Sequence, residues 1–342
     1  METFWFAAVA FMLAAYVLLD GFDLGAGFVH LIAARTEIER RTILAAVGPV
    51  WDGNEVWLLA AGGTLYFAFP RVYASSFSGF YLPLIIVLWL LIARAVGIEF
   101  RSHSRAELWH GFFDVVFSLS SVLLIIFFGA ALWNVIRGVP LDAEGSFFEP
   151  LWTDFRIGPQ PGILDWYTVL TALVAFAALA GHGALYIAAK TEGDLCCRSR
   201  TIAGGAWWCT VALSAAGLAA SLAVRPELLN NYRSHPSGIV FPLAVVAGLA
   251  GMVSFRKSEN DRAAFACSGL YLTGMLGGAA FALYPQLLPS CGDPAFGLTA
   301  RATAATQYGL SVGLIWWTIG IVLTIGYFTF LYKIHRGKIQ LD

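Results

Sequence analysis

Long apolar stretches, separated by short charged segments, run the length of the chain. A helix needs about 20 apolar residues to cross a hydrocarbon layer ~30 Å thick. Cutting the stretches at charges, prolines and polar clusters on that basis predicts nine spans, over residues 4–31, 47–69, 74–98, 112–136, 163–189, 203–224, 238–254, 262–284 and 308–332. Pro242 makes the seventh the least regular of them. The first does not read as a cleaved signal peptide, because it lacks a basic start and continues through Asp20 and Asp23. The expected fold class is therefore all-α, a polytopic integral membrane protein.

Composition narrows the function classes. With 58% hydrophobic residues, 13% charged residues and a mean hydropathy of +0.72, the chain has too little polar surface for a soluble domain. A net charge of −1 gives no reason to expect nucleic acid. The five cysteines contain no CxxC pair, which argues against a zinc site or a c-type haem attachment, and Cys196 and Cys197 read as inert interfacial thiols.

Lysine and arginine set the expected orientation. Fifteen of them lie on alternate connections: Arg35, Arg40 and Arg41; Arg94, Arg101 and Arg105; Lys190, Arg198 and Arg200; Arg256, Lys257 and Arg262; Lys333, Arg336 and Lys338. The other connections hold six: Arg71, Arg137, Arg156, Arg225, Arg233 and Arg301. The positive-inside rule puts the fifteen in the cytoplasm, the N-terminus outside and the C-terminus inside.

The segment from Leu31 to Glu37 recurs from Tyr186 to Glu192, and Phe100-Arg101-Ser102 recurs as Phe255-Arg256-Lys257, both 155 residues on. That offset carries span 1 onto span 5, which run in the same direction, so the halves read as parallel repeats. The expected organisation is a four-helix bundle over 1–136, an external loop over 137–162, a second bundle over 163–284, an external loop over 285–307, and a ninth helix with a cytoplasmic tail over 308–342.

Acidic residues sit inside this apolar frame. Asp20 and Asp23 lie in Asp20-Gly21-Phe22-Asp23-Leu24-Gly25, and Asp52 and Glu55 in Trp51-Asp52-Gly53-Asn54-Glu55-Val56-Trp57. A charged residue at mid-bilayer costs about 2.5–3.5 kcal/mol on insertion scales, so such acids are candidate proton or ion sites. At 1.5 Å per residue, Asp20 lies ~24 Å and Asp23 ~28 Å along span 1, near its inner end. Asp52 and Glu55 open span 2 at that level, Arg94, Glu99 and Arg101 close span 3, and Asp114 opens span 4. Spacings of three residues put Asp20 with Asp23, and Asp52 with Glu55, on shared helix faces. At the repeat offset the four acids become Ala175, Ala178, Trp207 and Thr210, while Arg94, Glu99 and Asp114 become Leu249, Ser254 and Gly269. Polar chemistry is thus expected in the first bundle. The bland alternatives are interfacial pairing for Glu99, Arg101 and Asp114, close helix contact for Gly21 and Gly25, and interfacial anchoring for Trp51; a partner or gas-path contact suits Trp57. Of the six histidines only His182 is well inside a span, and it reads as a hydrogen-bonded packing residue, so no haem ligation is expected here.

These motifs, with Arg40-Arg41, Ala61-Gly62-Gly63, the stretch Ser76 to Tyr81 and Phe100-Arg101-Ser102, resemble subunit II of the cytochrome bd-type quinol oxidases, most densely over residues 16–105. The resemblance implies a haem-bearing partner, subunit I, with b- and d-type haems and the quinol site, and a small single-helix subunit as a further candidate partner within membrane lipid. It implies that this subunit ligates no haem, stabilises the heterodimer and carries protons inward from the cytoplasm. The acids matching that path are Asp20, Asp23 and Asp52, with Glu55 where an amide can occur and His182 where glutamine can. The implied setting is a bacterial or archaeal cytoplasmic membrane, and the implied reaction is quinol oxidation coupled to four-electron reduction of oxygen to water. The alternative, from the repeats and buried acids, is a proton- or cation-coupled secondary transporter. Reporter fusions test the orientation: fusions after residues 38 and 195 read cytoplasmic and one after 148 reads external, and the reverse pattern overturns it.

Overall fold

In a computed structural model, the structure describes residues 1–103 and 107–339. In chain order the helices are α1 (Glu2–Ala33), α2 (Glu37–Val47), α3 (Trp51–Ala68), α4 (Pro70–Gly79), α5 (Tyr81–His103), α6 (Glu107–Arg137), α7 (Trp166–Lys190), α8 (Gly193–Val224), α9 (Asn230–Ser234), α10 (Val240–Lys257), α11 (Asp261–Leu283), α12 (Ala300–Thr303) and α13 (Gln307–Ile334). Eight of them, all of the long ones except α3, are long and apolar enough to cross a membrane. The predicted span 47–69 is an 18-residue helix whose first turns carry Asp52 and Glu55. Arg105, one of the fifteen basic residues, lies outside the described residues.

Four short helices, α2, α4, α9 and α12, were not expected. Thr36 caps α2 through its hydroxyl on Glu39 N, with Glu39 reaching back to the Thr36 backbone, a reciprocal capping box. Gly48 and Pro49 end α2, so the span begins at Trp51 instead of residue 47. Phe69 breaks α3, Pro70 starts α4 at a position where its missing N–H costs nothing, and span 3 starts at Tyr81, not 74. Pro242 falls in the first turn of α10 and is harmless there. The connection after α11 also carries a small antiparallel pair, Gln286–Leu288 with Leu298–Thr299.

The same contacts recur in both halves. α1 packs on α3 and α6 while α5 packs on α6; α7 packs on α8 and α11 while α10 packs on α11. The halves meet where α1 crosses α7, the most enclosed span, and α13 is the least enclosed. Small residues allow that crossing: a Cβ on Gly25 would lie 2.8 Å from the Gly183 backbone, too close for any side chain. Phe22 stacks on Tyr186 at 4.0 Å between ring centres, continuing the seam.

At the end of the bundle opposite α2, the 138–165 connection is held by a buried guanidinium. Arg137 binds Glu149, Asp165 and the carbonyls of Gly138 and Gly162. Asp165 also caps α7 by accepting from Tyr167 N and Thr168 N. Burial pushes the Glu149 carboxyl up from 4.5 to about 7 against the pull of Arg137. The fold therefore favours neutral Glu149, a contribution present in full below pH 4.5 and lost as pH rises through about 7. Over that window the melting temperature of the purified protein is expected to fall, and Glu149→Gln to flatten the fall; an unchanged slope in the variant refutes this assignment.

Candidate functional site

The polar centre lies on one stripe of α1. Tyr16, Asp20, Asp23 and His30 are all buried and are spaced four, three and seven apart, which keeps them on one helix face. Arg94 of α5, fully buried, donates Nη1 to Asp20 Oδ1 at 2.6 Å and Nη2 to Glu55 Oε2 at 2.7 Å, joining α1, α3 and α5. Its guanidinium also lies 5.8 Å from the ring centre of Trp51, whose Nε1 donates to Glu99 at 3.2 Å. Asn54 donates Nδ2 to Asp23 Oδ2 at 2.7 Å and to the Leu19 carbonyl at 3.1 Å, and its Oδ1 accepts from Tyr332 at 2.7 Å. Asp20 Oδ2, Asp23 Oδ1 and the Tyr16 hydroxyl are buried with no partner among the described residues.

A second network stands nearer α2. Asp114 accepts from His30 Nε2 at 2.6 Å, from Arg40 at 3.0 Å and from Arg101. Arg101 continues to Glu37, half exposed on α2, and holds that carboxylate below its usual range, with His110 also nearby. Between the networks, Ser118 and Ser121 of α6 line the Gly27 backbone, where a side chain would strike Ser121.

Asp20, Asp23, Asn54, Glu55 and Arg94 come together as one group, and Arg101 and Asp114 belong to the other. Asp52 does not join: α3 buries Trp51, Asn54, Trp57, Ala61, Thr64 and Ala68, and Asp52, about 100° round the helix from Trp51, lies exposed. Trp51 is buried against Arg94, so interfacial anchoring is not its role; Glu99 is exposed beside it. Trp57 is buried with Met12, Tyr16 and Ala61, against Phe11 and Phe328. His30, Tyr332, Tyr16 and Glu37 are the residues that sequence reasoning missed. The signal for His30 was its place seven residues after Asp23; for Tyr332, on a distant helix, the sequence carried none.

Haem ligation does not fit this donor set. His182 spends both ring nitrogens on Ser268 and the Leu18 carbonyl and stacks on Phe265, and His30 is held by Asp114. Met12 Sδ accepts from Thr64. Among the described residues no group of three or more His, Cys, Asp or Glu could hold a metal ion.

A bundle of long apolar helices enclosing paired carboxylates and a buried guanidinium defines an integral membrane protein with an internal ionisable site. The family model described as cytochrome bd terminal oxidase subunit II matches residues 1–335, and the chain belongs to that family. Among its relatives, the probable cytochrome oxidase subunit 2 of Haemophilus influenzae is 29% identical, covering 99% of this chain and 95% of the relative. The cytochrome bd ubiquinol oxidase subunit 2 of Bacillus subtilis is 28% identical, covering 99% and 97%. The cytochrome bd-I ubiquinol oxidase subunit 2 of Escherichia coli is also 28% identical, covering 95% and 91%. The fold matches a chain of the bd oxidase structure from Geobacillus thermodenitrificans with a TM-score of 0.77 at 17% identity, over 97% of this chain and 98% of that one. Family membership favours the oxidase reading over the transporter.

The second network carries its own test. Asp114 is buried among cations, so Asp114→Ala strands them and is expected to cost about 3–5 kcal/mol in the unfolding of the purified protein. Glu99→Ala, at an exposed site, is expected to cost about 0–1 kcal/mol. Equal losses for the two refute the distinction.

Proposed function

We propose that this chain serves a quinol-oxidising, oxygen-reducing terminal oxidase of the bacterial inner membrane as its proton-conducting, haem-free subunit. The partner is a haem-bearing subunit I, which holds b- and d-type haems and the quinol site, with a small single-helix subunit as a further candidate. The N-terminus lies outside and the C-terminus in the cytoplasm, so the α2 end faces the source of protons. Cytoplasmic protons enter near Glu37, His30 and Asp114, reach Asp23 and Asp20, and leave toward the partner through Glu55 and exposed Asp52.

The observation that carries this reading is the surplus of acid around one cation: Asp20, Asp23 and Glu55 surround Arg94, and buried oxygens of Asp20 and Asp23 have no partner among the described residues. Carboxylates grouped in this way within an apolar bundle are a candidate proton-handling site. Exposure of Asp52 on α3 suits a group that hands protons across a subunit boundary. The two halves, 1–136 and 163–284, act as working and supporting bundles.

Turnover of the assembled oxidase tests the path. Asp52→Asn and Asp23→Asn are expected to keep full haem content in the complex and to slow oxygen consumption on the order of a hundredfold or more, as loss of a proton-transfer group does. Asp52→Glu should keep more activity, and Thr210→Val, at the second-half equivalent, should change little. Wild-type oxygen consumption and proton uptake in both Asn variants would refute the path.

A further inference from the structure

Tyr332 stands on α13, the helix outside the repeated contacts, yet its hydroxyl reaches the polar centre, 2.7 Å from Asn54 Oδ1. Asn54 is fully buried, and its orientation follows from its neighbours. The Leu19 carbonyl can only accept, so the Asn54 end facing it at 3.1 Å must be the NH2 group. The same NH2 group faces Asp23 Oδ2 at 2.7 Å, which leaves Oδ1 toward Tyr332 and makes the phenol the donor. Three groups thus form a directed chain, from the Tyr332 hydroxyl to the Asn54 amide to the Asp23 carboxylate. A donor on the amide oxygen polarises the amide and strengthens its N–H as a donor in turn.

We propose that Tyr332 is a positioning residue for Asp23: it holds Asn54 with its N–H on Oδ2 and so leaves Oδ1, the unpartnered buried oxygen, as the atom that takes up and releases the proton. The inference rests on the proton-path reading above, and goes beyond it by giving the last helix a part in the site. Tyr332 is itself fixed for the task, stacked on Phe328 and set edge-on to Phe22. Two other tyrosines, Tyr186 beside Asp23 and Tyr16 one turn before Asp20, lack this geometry. The Tyr186 hydroxyl donates to the Ala46 carbonyl, and the Tyr16 hydroxyl has no partner among the described residues.

The test uses the assembled oxidase in proteoliposomes. Tyr332→Phe is expected to keep haem content and to lower oxygen consumption about threefold to tenfold, the effect of losing one hydrogen bond between neutral groups. Because Tyr332 acts through Asn54, Tyr332→Phe added to Asn54→Ala should lower turnover no further; a full additional loss overturns the proposal. Infrared difference spectra give the second reading. The carboxylic C=O band that disappears in Asp23→Asn should shift in Tyr332→Phe and shift the opposite way with difluorotyrosine at 332, which keeps the ring and donates more strongly. An unmoved band overturns the proposal, and the difluorotyrosine protein decides the matter by itself if the Phe variant does not assemble. Wild-type turnover in both Asp23→Asn and Asp52→Asn defeats the proton path as a whole, whereas impaired Asp23→Asn with additive Asn54 and Tyr332 effects defeats the Tyr332 role alone.

Discussion

The guanidinium of Arg94 is the interaction on which the first half of the molecule depends. Buried completely, it must be neutralised by groups brought from elsewhere, and those groups come from two other helices: Asp20 on α1 and Glu55 on α3. Removing either acid strips a buried guanidinium of one of its two hydrogen-bonded carboxylates, a larger penalty than the loss of a surface pair. The bridge therefore aligns three helices at one depth and brings the Trp51 ring and Asn54 into place beside it. Architecture and chemistry share the same atoms here, so the site is as rigid as the fold around it.

Much of this was legible in the chain. Spans could be read from apolar length, and the acids announced themselves by sitting where lipid should. What failed to show was rotation about α3. The three-residue spacing of Asp52 and Glu55 suggested a common face, but the buried face is chosen by Trp51, Asn54 and Trp57, and the tryptophans bury more area than a carboxylate can claim. The short helices escaped because they carry no long apolar run; the Thr36 to Glu39 capping pattern was the local sign of α2, and Pro70 that of α4. Tyr332 was invisible for a different reason. Its partner lies 278 residues away, and nothing local distinguishes it from the other aromatic residues of α13.

The second half is more than ballast. It has lost the acids, yet His182 on α7 grips the Leu18 carbonyl two residues before Asp20, and Tyr186 holds the Ala46 carbonyl near the end of α2. Arg198 reaches across to Glu39 and to the Ala33 carbonyl. These bonds all land on the backbone or the ends of first-half helices, so they fix where α1 lies without adding titratable groups to its polar stripe.

The crossing of Gly25 over Gly183 has a consequence for motion. Elsewhere two helices in contact can slide by exchanging rotamers in the layer of side chains between them. At this crossing backbone meets backbone and there is no such layer. α1 and α7 must then move as one body, and the slow sliding that opens many membrane proteins on microsecond to millisecond scales is closed to this pair. Whatever passes along the stripe on α1 then has to travel by rotation of carboxyl, amide and hydroxyl groups, not by sliding of the two helices.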